Sequence, residues 1–268
     1  MEERAKQEEE EDQGRGGGGE GEEEWKNTRR KTCGGCGRPA RVCLCGHLPA
    51  APINTTTTVV ILQHPLETRH PLSTVPVLTR CLRNAHVIVG RRLSSGSSPI
   101  LDSLCSSPCG GRPPALVLFP GADSCDLGDW VSAQFSSRAA GHEIHHEPLY
   151  LIVFDATWKH AKEMVRGSLP FLSKFSHQVS LPVDARLEGS SIYDSDLILR
   201  KEPFSGCVST MEAVARSLRL LEVDGDEIEQ KLLSVLRAMV AFQACNLKPM
   251  KPRPRLVKKS KNSCLLSN

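Results

Sequence analysis

Asp155 stands at the end of a short apolar run, LIVF at 151–154, and Thr157, Trp158 and Lys159 follow it into a stretch with helical spacing. A buried strand that ends in a carboxylate beside a helix start is where open α/β sheets place ligand sites. The same residues also fit a plainer role, with Asp155 as a turn or cap residue and Trp158 as a core anchor.

A second concentration of reactive groups lies at 32–47, TCGGCGRPARVCLCGH, where Cys33, Cys36, Cys43 and Cys45 fall close together. Thiolates at such spacing suit tetrahedral zinc, and Gly34, Gly35 and Gly37 let the first pair wrap an ion as a knuckle. The second pair is Cys-x-Cys, a departure from the commonest ribbon, and His47 could replace one thiolate. A redox-active or unliganded cluster is the competing reading. Four protein ligands leave a zinc ion no open position, so the role expected of it is structural.

These groups need a scaffold. The chain has 268 residues and 39% hydrophobic content, enough for one sizeable core with appendages. Its net charge of +3 hides an asymmetry: the first 25 residues are dominated by Glu and Gly, the last 20 by Lys, Arg and Pro. Neither end can bury enough apolar surface to fold alone, so both read as disordered. The expected organisation is an acidic tail at 1–26, a four-cysteine knuckle at 27–50, a main domain at 51–247 and a basic tail at 248–268. The basic residues at 248–261 could steer a polyanion, act as a nuclear address, or only keep the protein soluble. The start is acidic rather than basic-then-apolar, and no run reaches the roughly 18–20 apolar residues of a membrane span. No membrane role is therefore expected, and the expected compartment is the nucleus or the cytosol. Eleven cysteines without an export signal argue against a disulfide framework.

The main domain reads as alternating strands and helices. TTVVIL at 57–62 is the first expected strand, with Pro65 beyond it. Val75, Leu78 and Leu82 suit a helix at 74–82, and strands are expected at 87–89 and 115–119. Residues 91–114 read as a surface loop and 122–148 as an irregular insertion. After Asp155, a helical or loop piece is expected at 165–177 and a short strand at 178–181. An apolar run at 196–199 leads into Arg200, Lys201 and Glu202. Ser209 with Glu212 three residues on reads as a capping box. It opens a helix that buries Met211, Val214, Ala215, Leu218 and Leu221. A second helix runs from Asp226 to Ala244, with Ile228, Leu232, Leu233, Leu236, Met239 and Val240 inward. This alternation implies a mainly parallel sheet with helices on both faces. In such a sheet, the polar clusters at 63–64, 120–121, 155–159, 200–202 and 209–210 converge on one cleft. The chain contains no Gly-x-Gly-x-x-Gly, Walker loop, Gly-x-Ser-x-Gly or His-Glu-x-x-His, so simple nucleotide hydrolysis, serine hydrolysis and zinc proteolysis lose support.

Seven short motifs occur in a fixed order. They are Cys33-x-x-Cys36, Arg38-Pro39, Cys43-Leu44-Cys45, Leu62-Gln63-His64-Pro65-x-Glu67, Leu118-Phe119-Pro120-Gly121, Asp155-x-Thr157-Trp158, and Arg200-x-Glu202-Pro203 with Ser209-Thr210-x-Glu212-Ala213. Together they resemble the DTW-domain family of tRNA-uridine aminocarboxypropyltransferases, over about residues 32–245. Ala156 stands at a position the family leaves variable, and the segments 91–114 and 122–148 match nothing specific.

The resemblance implies a fold similar to the SPOUT methyltransferases, an α/β sheet whose C-terminal part forms a trefoil knot, an exception to the usual rule against knots. It implies S-adenosylmethionine as co-substrate and tRNA as partner. The implied product is 3-(3-amino-3-carboxypropyl)uridine in the D-loop region, with methylthioadenosine released. Asp155 is then the candidate base for the uridine N3 proton. Trp158 would wall the aminocarboxypropyl chain and exclude attack on the methyl group. Leu62, Phe119, Pro120, Gly121, Thr157, Leu199, Arg200, Ser209 and Thr210 are the expected cofactor contacts, the helix start at Ser209 offering N–H groups to a carboxylate. Arg200 and Lys201 could instead bind tRNA phosphate or face solvent, and His64 reads as a hydrogen-bonded loop residue.

RNA must also be held, and an aromatic content of 4% leaves little to stack on bases, so phosphate contacts should dominate. Arg29, Arg30, Lys31, Arg38 and Arg41 surround the knuckle, which is expected to dock on tRNA. The competing readings are an RNA methyltransferase of similar fold and a non-catalytic RNA-binding zinc protein. The sequence leaves open which uridine is modified and the oligomeric state.

Overall fold

Six strands form one sheet in the order β2-β1-β5-β3-β6-β4, and every neighbouring pair is parallel. The computed structural model describes residues 31–106, 114–138, 149–181 and 208–245. Along the chain the elements are β1 (Thr58–Gln63), α1 (Val75–Cys81), β2 (Ala85–Val89), α2 (Pro99–Ser106), β3 (Ala115–Leu118) and β4 (Cys125–Asp126). There follow α3 (Leu127–Arg138), β5 (Tyr150–Asp155), α4 (Trp158–Leu172), β6 (Ser176–Ser180), α5 (Thr210–Leu221) and α6 (Gly225–Ala244).

The central strands are apolar on both faces because both faces are covered, as parallel sheets require. The alternation of the pleat divides their side chains between two layers. Val59, Ile61, Leu116, Leu118, Leu151 and Val153 pack toward α1, α3, α5 and α6. Val60, Leu62, Ala115, Val117, Ile152 and Phe154 pack toward α2 and α4. Cys36 and Leu44 of the cysteine-rich segment belong to the first layer.

Two segments differ from expectation. The stretch 91–114 contains α2, which opens on Pro99 and buries Leu101 and Leu104. A proline in the first turn costs no hydrogen bond, so the Ser/Pro-rich composition conceals a helix start. The stretch 122–148 contains β4 and α3. Among the described side chains of α3, Leu127 and Trp130 are buried in the core. Smaller shifts also appear. β1 extends to Gln63, β2 begins at Ala85 and β5 includes Asp155. α4 continues to Leu172 and β6 begins at Ser176. In α6, Val235 is fully buried while Leu233 is only half-buried. Leu221 at the end of α5 is likewise half-buried. The expected run at 196–199, with Leu199 and Arg200, lies outside the described residues.

Ser209 caps α5 as expected, its Oγ accepting from the Glu212 N–H at 3.2 Å. The Glu212 carboxylate accepts from Arg216 at 2.7 Å. At the other end of α5, Glu222 accepts from the N–H groups of Thr56 at 2.9 Å and Thr57 at 2.7 Å. This clamp joins the end of α5 to the entry of β1, so the start of α5 lies at the opposite edge of the sheet, where the strands end. Replacing Glu222 with Ala leaves the N–H of the buried Thr57 without its acceptor, while that of the exposed Thr56 turns to water. Urea denaturation of Glu222→Ala should show a loss of about 1–3 kcal/mol; an unchanged midpoint would refute the clamp.

Candidate active site and thiol cluster

All six strands end at one edge, and β5 lies between β1 and β3. This is the edge at which parallel sheets take ligands. The register sets Gln63 opposite Asp155 and Leu62 opposite Phe154. Asp155 is only 5% exposed. Its Oδ2 accepts from Gln63 Nε2 at 3.0 Å and its Oδ1 from Thr210 Oγ at 2.6 Å. Gln63 Nε2 also donates to Ser73 Oγ at 3.1 Å. The His64 N–H donates to the Asp155 carbonyl at 2.9 Å. A carboxylate accepts at about four positions; Gln63 and Thr210 each take one and fix its plane. Asp155 does not cap α4, whose N-cap residue is Thr157.

Trp158 opens α4 and is half-buried, its ring 5.7 Å from that of Phe119. Phe119 meets Phe154 edge-on at 6.4 Å. Pro120 and Gly121 are exposed just beyond. Gln178 on β6 braces this turn, its Nε2 donating to the Phe119 carbonyl at 2.8 Å. A Cβ at Gly121 would come within 2.6 Å of that same nitrogen, so a glycine lets the amide sit against the turn.

Thr157 is exposed and hydrogen-bonds through Oγ to His160 Nδ1 at 3.2 Å. The His160 ring stacks on His64 at 4.4 Å, with 7° between planes. His64 is 3% exposed, and its Nδ1 accepts from the Leu66 N–H at 3.3 Å. Burial pushes the His64 imidazole below its ordinary value, and the charges of His160 and Arg91 push the same way.

The structure thus brings Phe119, Pro120, Gly121, Asp155, Thr157, Trp158, Ser209 and Thr210 to one sheet edge. Leu62 is fully buried in the α2/α4 layer, so its side chain belongs to the core. Sequence reasoning left out Gln63 as the partner of Asp155, together with Ser73, His160 and Gln178. Gln63 follows the first expected strand directly, but only strand register reveals what its amide faces.

The four thiols Cys33, Cys36, Cys43 and Cys45 lie within 4.8 Å of one another. Separations of 3.4 Å for Cys33 with Cys45 and 3.6 Å for Cys36 with Cys43 exceed the roughly 2.05 Å of a disulfide. They are close to the roughly 3.8 Å between tetrahedral sulfur ligands about 2.3 Å from one ion. The donor set therefore fits a soft tetrahedral metal. A Cβ at Gly35 would lie 2.7 Å from Cys45 Sγ, so the turn needs a glycine to let the thiols close. The Cys36 N–H, then the Cys45 and Cys43 thiols, bring the Cys33 thiol down to about 6. Hydrogen bonding to Cys33, then to Cys43, holds the Cys45 thiol up to about 12. His47 is not part of the cluster; its ring packs edge-on against Phe242 of α6 at 5.5 Å.

A family model for the DTW domain matches residues 30–244. This chain belongs to the DTW-domain family. It is 47% identical over 247 residues to an Arabidopsis thaliana protein named tRNA-uridine aminocarboxypropyltransferase A, covering 88% of this chain and 90% of the relative. It is 33% identical over 220 residues to a Macaca fascicularis protein named tRNA-uridine aminocarboxypropyltransferase 2, covering 80% of this chain and 64% of that longer relative. A Drosophila melanogaster protein of the same name is 32% identical over 227 residues, 81% of this chain and 77% of the relative. No solved structure matches the chain.

The lowered imidazole of His64 has a consequence for stability. As pH falls, the unfolded chain takes up this proton first, near the ordinary value of about 6.5. Stability is therefore complete above that value, falls as pH drops through it, and levels off below the depressed native value. In urea titrations between pH 7.5 and pH 5.5, His64→Asn should lose less stability on acidification than the parent protein. An identical slope would exclude the buried neutral ring.

Proposed function

We propose that this protein transfers the 3-amino-3-carboxypropyl group of S-adenosylmethionine to N3 of a uridine in the D-loop region of tRNA. The observation that carries the reading is the buried Asp155 carboxylate at the end of the central strand, held by Gln63 and Thr210 beside Trp158 and Phe119. Membership in a family with relatives named tRNA-uridine aminocarboxypropyltransferases supplies the reaction class.

S-adenosylmethionine would supply an electrophilic methylene carbon next to a sulfonium. Around it, the residues divide the work. Asp155 takes the N3 proton as the nitrogen–carbon bond forms and the carbon–sulfur bond breaks, leaving neutral methylthioadenosine. Gln63 and Thr210 keep the carboxylate in one orientation, so no side chain has to reorganise during proton transfer. Trp158 and Phe119 form a wall along which the longer arm, rather than the methyl group, is presented to the base; this is an orientation effect. The exposed Pro120–Gly121 turn and the start of α5 offer backbone groups to the adenosine and to the amino-acid carboxylate. A SPOUT-like knotted C-terminal half is the fold we infer around this site. The parallel sheet and the return of Thr210 to Asp155 agree with it. Zinc is the metal we assign to the four thiols, in a structural role, with the knuckle docking on tRNA.

The test uses unmodified tRNA and S-adenosylmethionine labelled in its amino-acid backbone. Label should appear in one uridine as the aminocarboxypropyl adduct. Transfer of a methyl label instead would make the protein a methyltransferase, and no transfer would leave an RNA-binding protein. Asp155→Asn keeps the size of the side chain but cannot accept the proton, so transfer should fall about 10²–10⁴-fold; undiminished transfer would remove Asp155 as base. Elemental analysis should find about one zinc ion per chain. Cys33→Ser with Cys36→Ser should lose it and weaken tRNA binding or unfold the N-terminal part, and retained zinc with full affinity would refute the assignment.

A further inference from the structure

The solvent side of α4 has no role in the chemistry above. Its inner side packs through Ala161, Met164, Val165, Ser168, Phe171 and Leu172. Lys159, Lys162 and Arg166 lie on the other side, all exposed. Their spacing of i, i+3 and i+7 sets them in one stripe about 10 Å long. Glu163 is the single carboxylate in the helix. The connection after β2 adds two more exposed cations, Arg91 and Arg92. It is fastened to α4, because the Leu93 N–H donates to Ser168 Oγ at 2.9 Å. A Cβ at Gly167 would touch the Arg92 Cβ at 3.6 Å, so the connection lies directly on the helix. Among the described residues, none of these five cations forms an ion pair.

The stripe has a direction. α4 begins beside Asp155 and runs away from the strand ends, so the cations start at the mouth of the site and continue down its flank. The stripe of Lys159, Lys162 and Arg166, with Arg91 and Arg92 on the flank of the helix beside Gly167, gathers like charge along one helix, and a polyanion relieves that repulsion. The Cys36 and Leu44 side chains pack on the opposite layer of the sheet, so this surface is separate from the knuckle. We propose that Arg91, Arg92, Lys159, Lys162 and Arg166 form a phosphate track that holds the RNA strand flanking the target uridine. The inference rests on the reading of the cleft as a tRNA-uridine transferase site. Phosphate contacts of this kind set the register of an RNA without reading its bases.

The experiment uses the full chain carrying Arg92→Gln, Lys162→Gln and Arg166→Gln, none of which belongs to the transfer machinery. Binding of an unmodified tRNA transcript is followed by fluorescence anisotropy over a series of KCl concentrations. The variant should bind more weakly, and its slope of log affinity against log salt should be shallower by roughly 0.7–0.9 per cation removed. KM for tRNA should rise while kcat at saturating tRNA and the melting temperature stay as in the parent. Arg92→Lys with Lys162→Arg and Arg166→Lys should restore affinity. If the triple variant melts early, the single substitution Lys162→Glu gives the same readout. An unchanged affinity and salt slope in a folded variant would overturn the track. So would loss of binding to phosphatidylserine vesicles with tRNA binding intact, which would assign the face to a membrane surface. The binding assay is read apart from group transfer, so a parent protein that binds tRNA through this face but transfers nothing would sink the proposed reaction and leave the track standing.

Discussion

Taking a carboxylate out of water is costly unless donors meet it, and the centre of this protein is arranged to meet Asp155. Gln63 reaches it from β1 and Thr210 from the first turn of α5. The two donors come from elements far apart in the chain. The bracket therefore forms only once the sheet has its register and α5 is docked. The Glu222 clamp at the far end of α5 fixes that docking. Packing at one edge of the sheet thus sets the geometry of the Asp155 carboxylate at the other.

The same logic orders the surroundings of the carboxylate. The stacked His64 and His160 rings join the segment after β1 to the first turn of α4. That turn carries Thr157 and Trp158. On the other side, Gln178 holds the Phe119–Gly121 turn by its carbonyl. Each wall of the cleft is therefore braced by a polar side chain from a neighbouring element. Such bracing suits the proposed transfer, in which the choice between two carbons of one sulfonium would depend on orientation.

The cysteine cluster is tied to this core rather than hung beside it. Cys36 and Leu44 are buried with α1, α5 and α6, and His47 rests on Phe242. Arg80 of α1 donates to the Gly35 carbonyl at 3.0 Å. A metal that gathers the four thiols would also fix where this segment lies on the helical layer behind the site.

Local composition was enough to reveal the strands around 57–62, 115–119 and 151–154, because fully buried parallel strands are continuous apolar runs. It also revealed α5 and α6, whose apolar stripes and Ser209 cap are read within a few turns, and the four thiols, whose ligand spacing is local. The order of the strands, the pairing of Gln63 with Asp155, the arrival of Thr210 and the stacking of His64 on His160 were decided by tertiary structure alone. Helices α2 and α3 belong with these, since among the described side chains each buries only two apolar residues, Leu101 and Leu104 in one and Leu127 and Trp130 in the other. The physical reason is range: periodicity and ligand spacing are properties of neighbouring residues. A hydrogen bond between positions 63 and 155, or 155 and 210, exists only after separate strands and helices have packed.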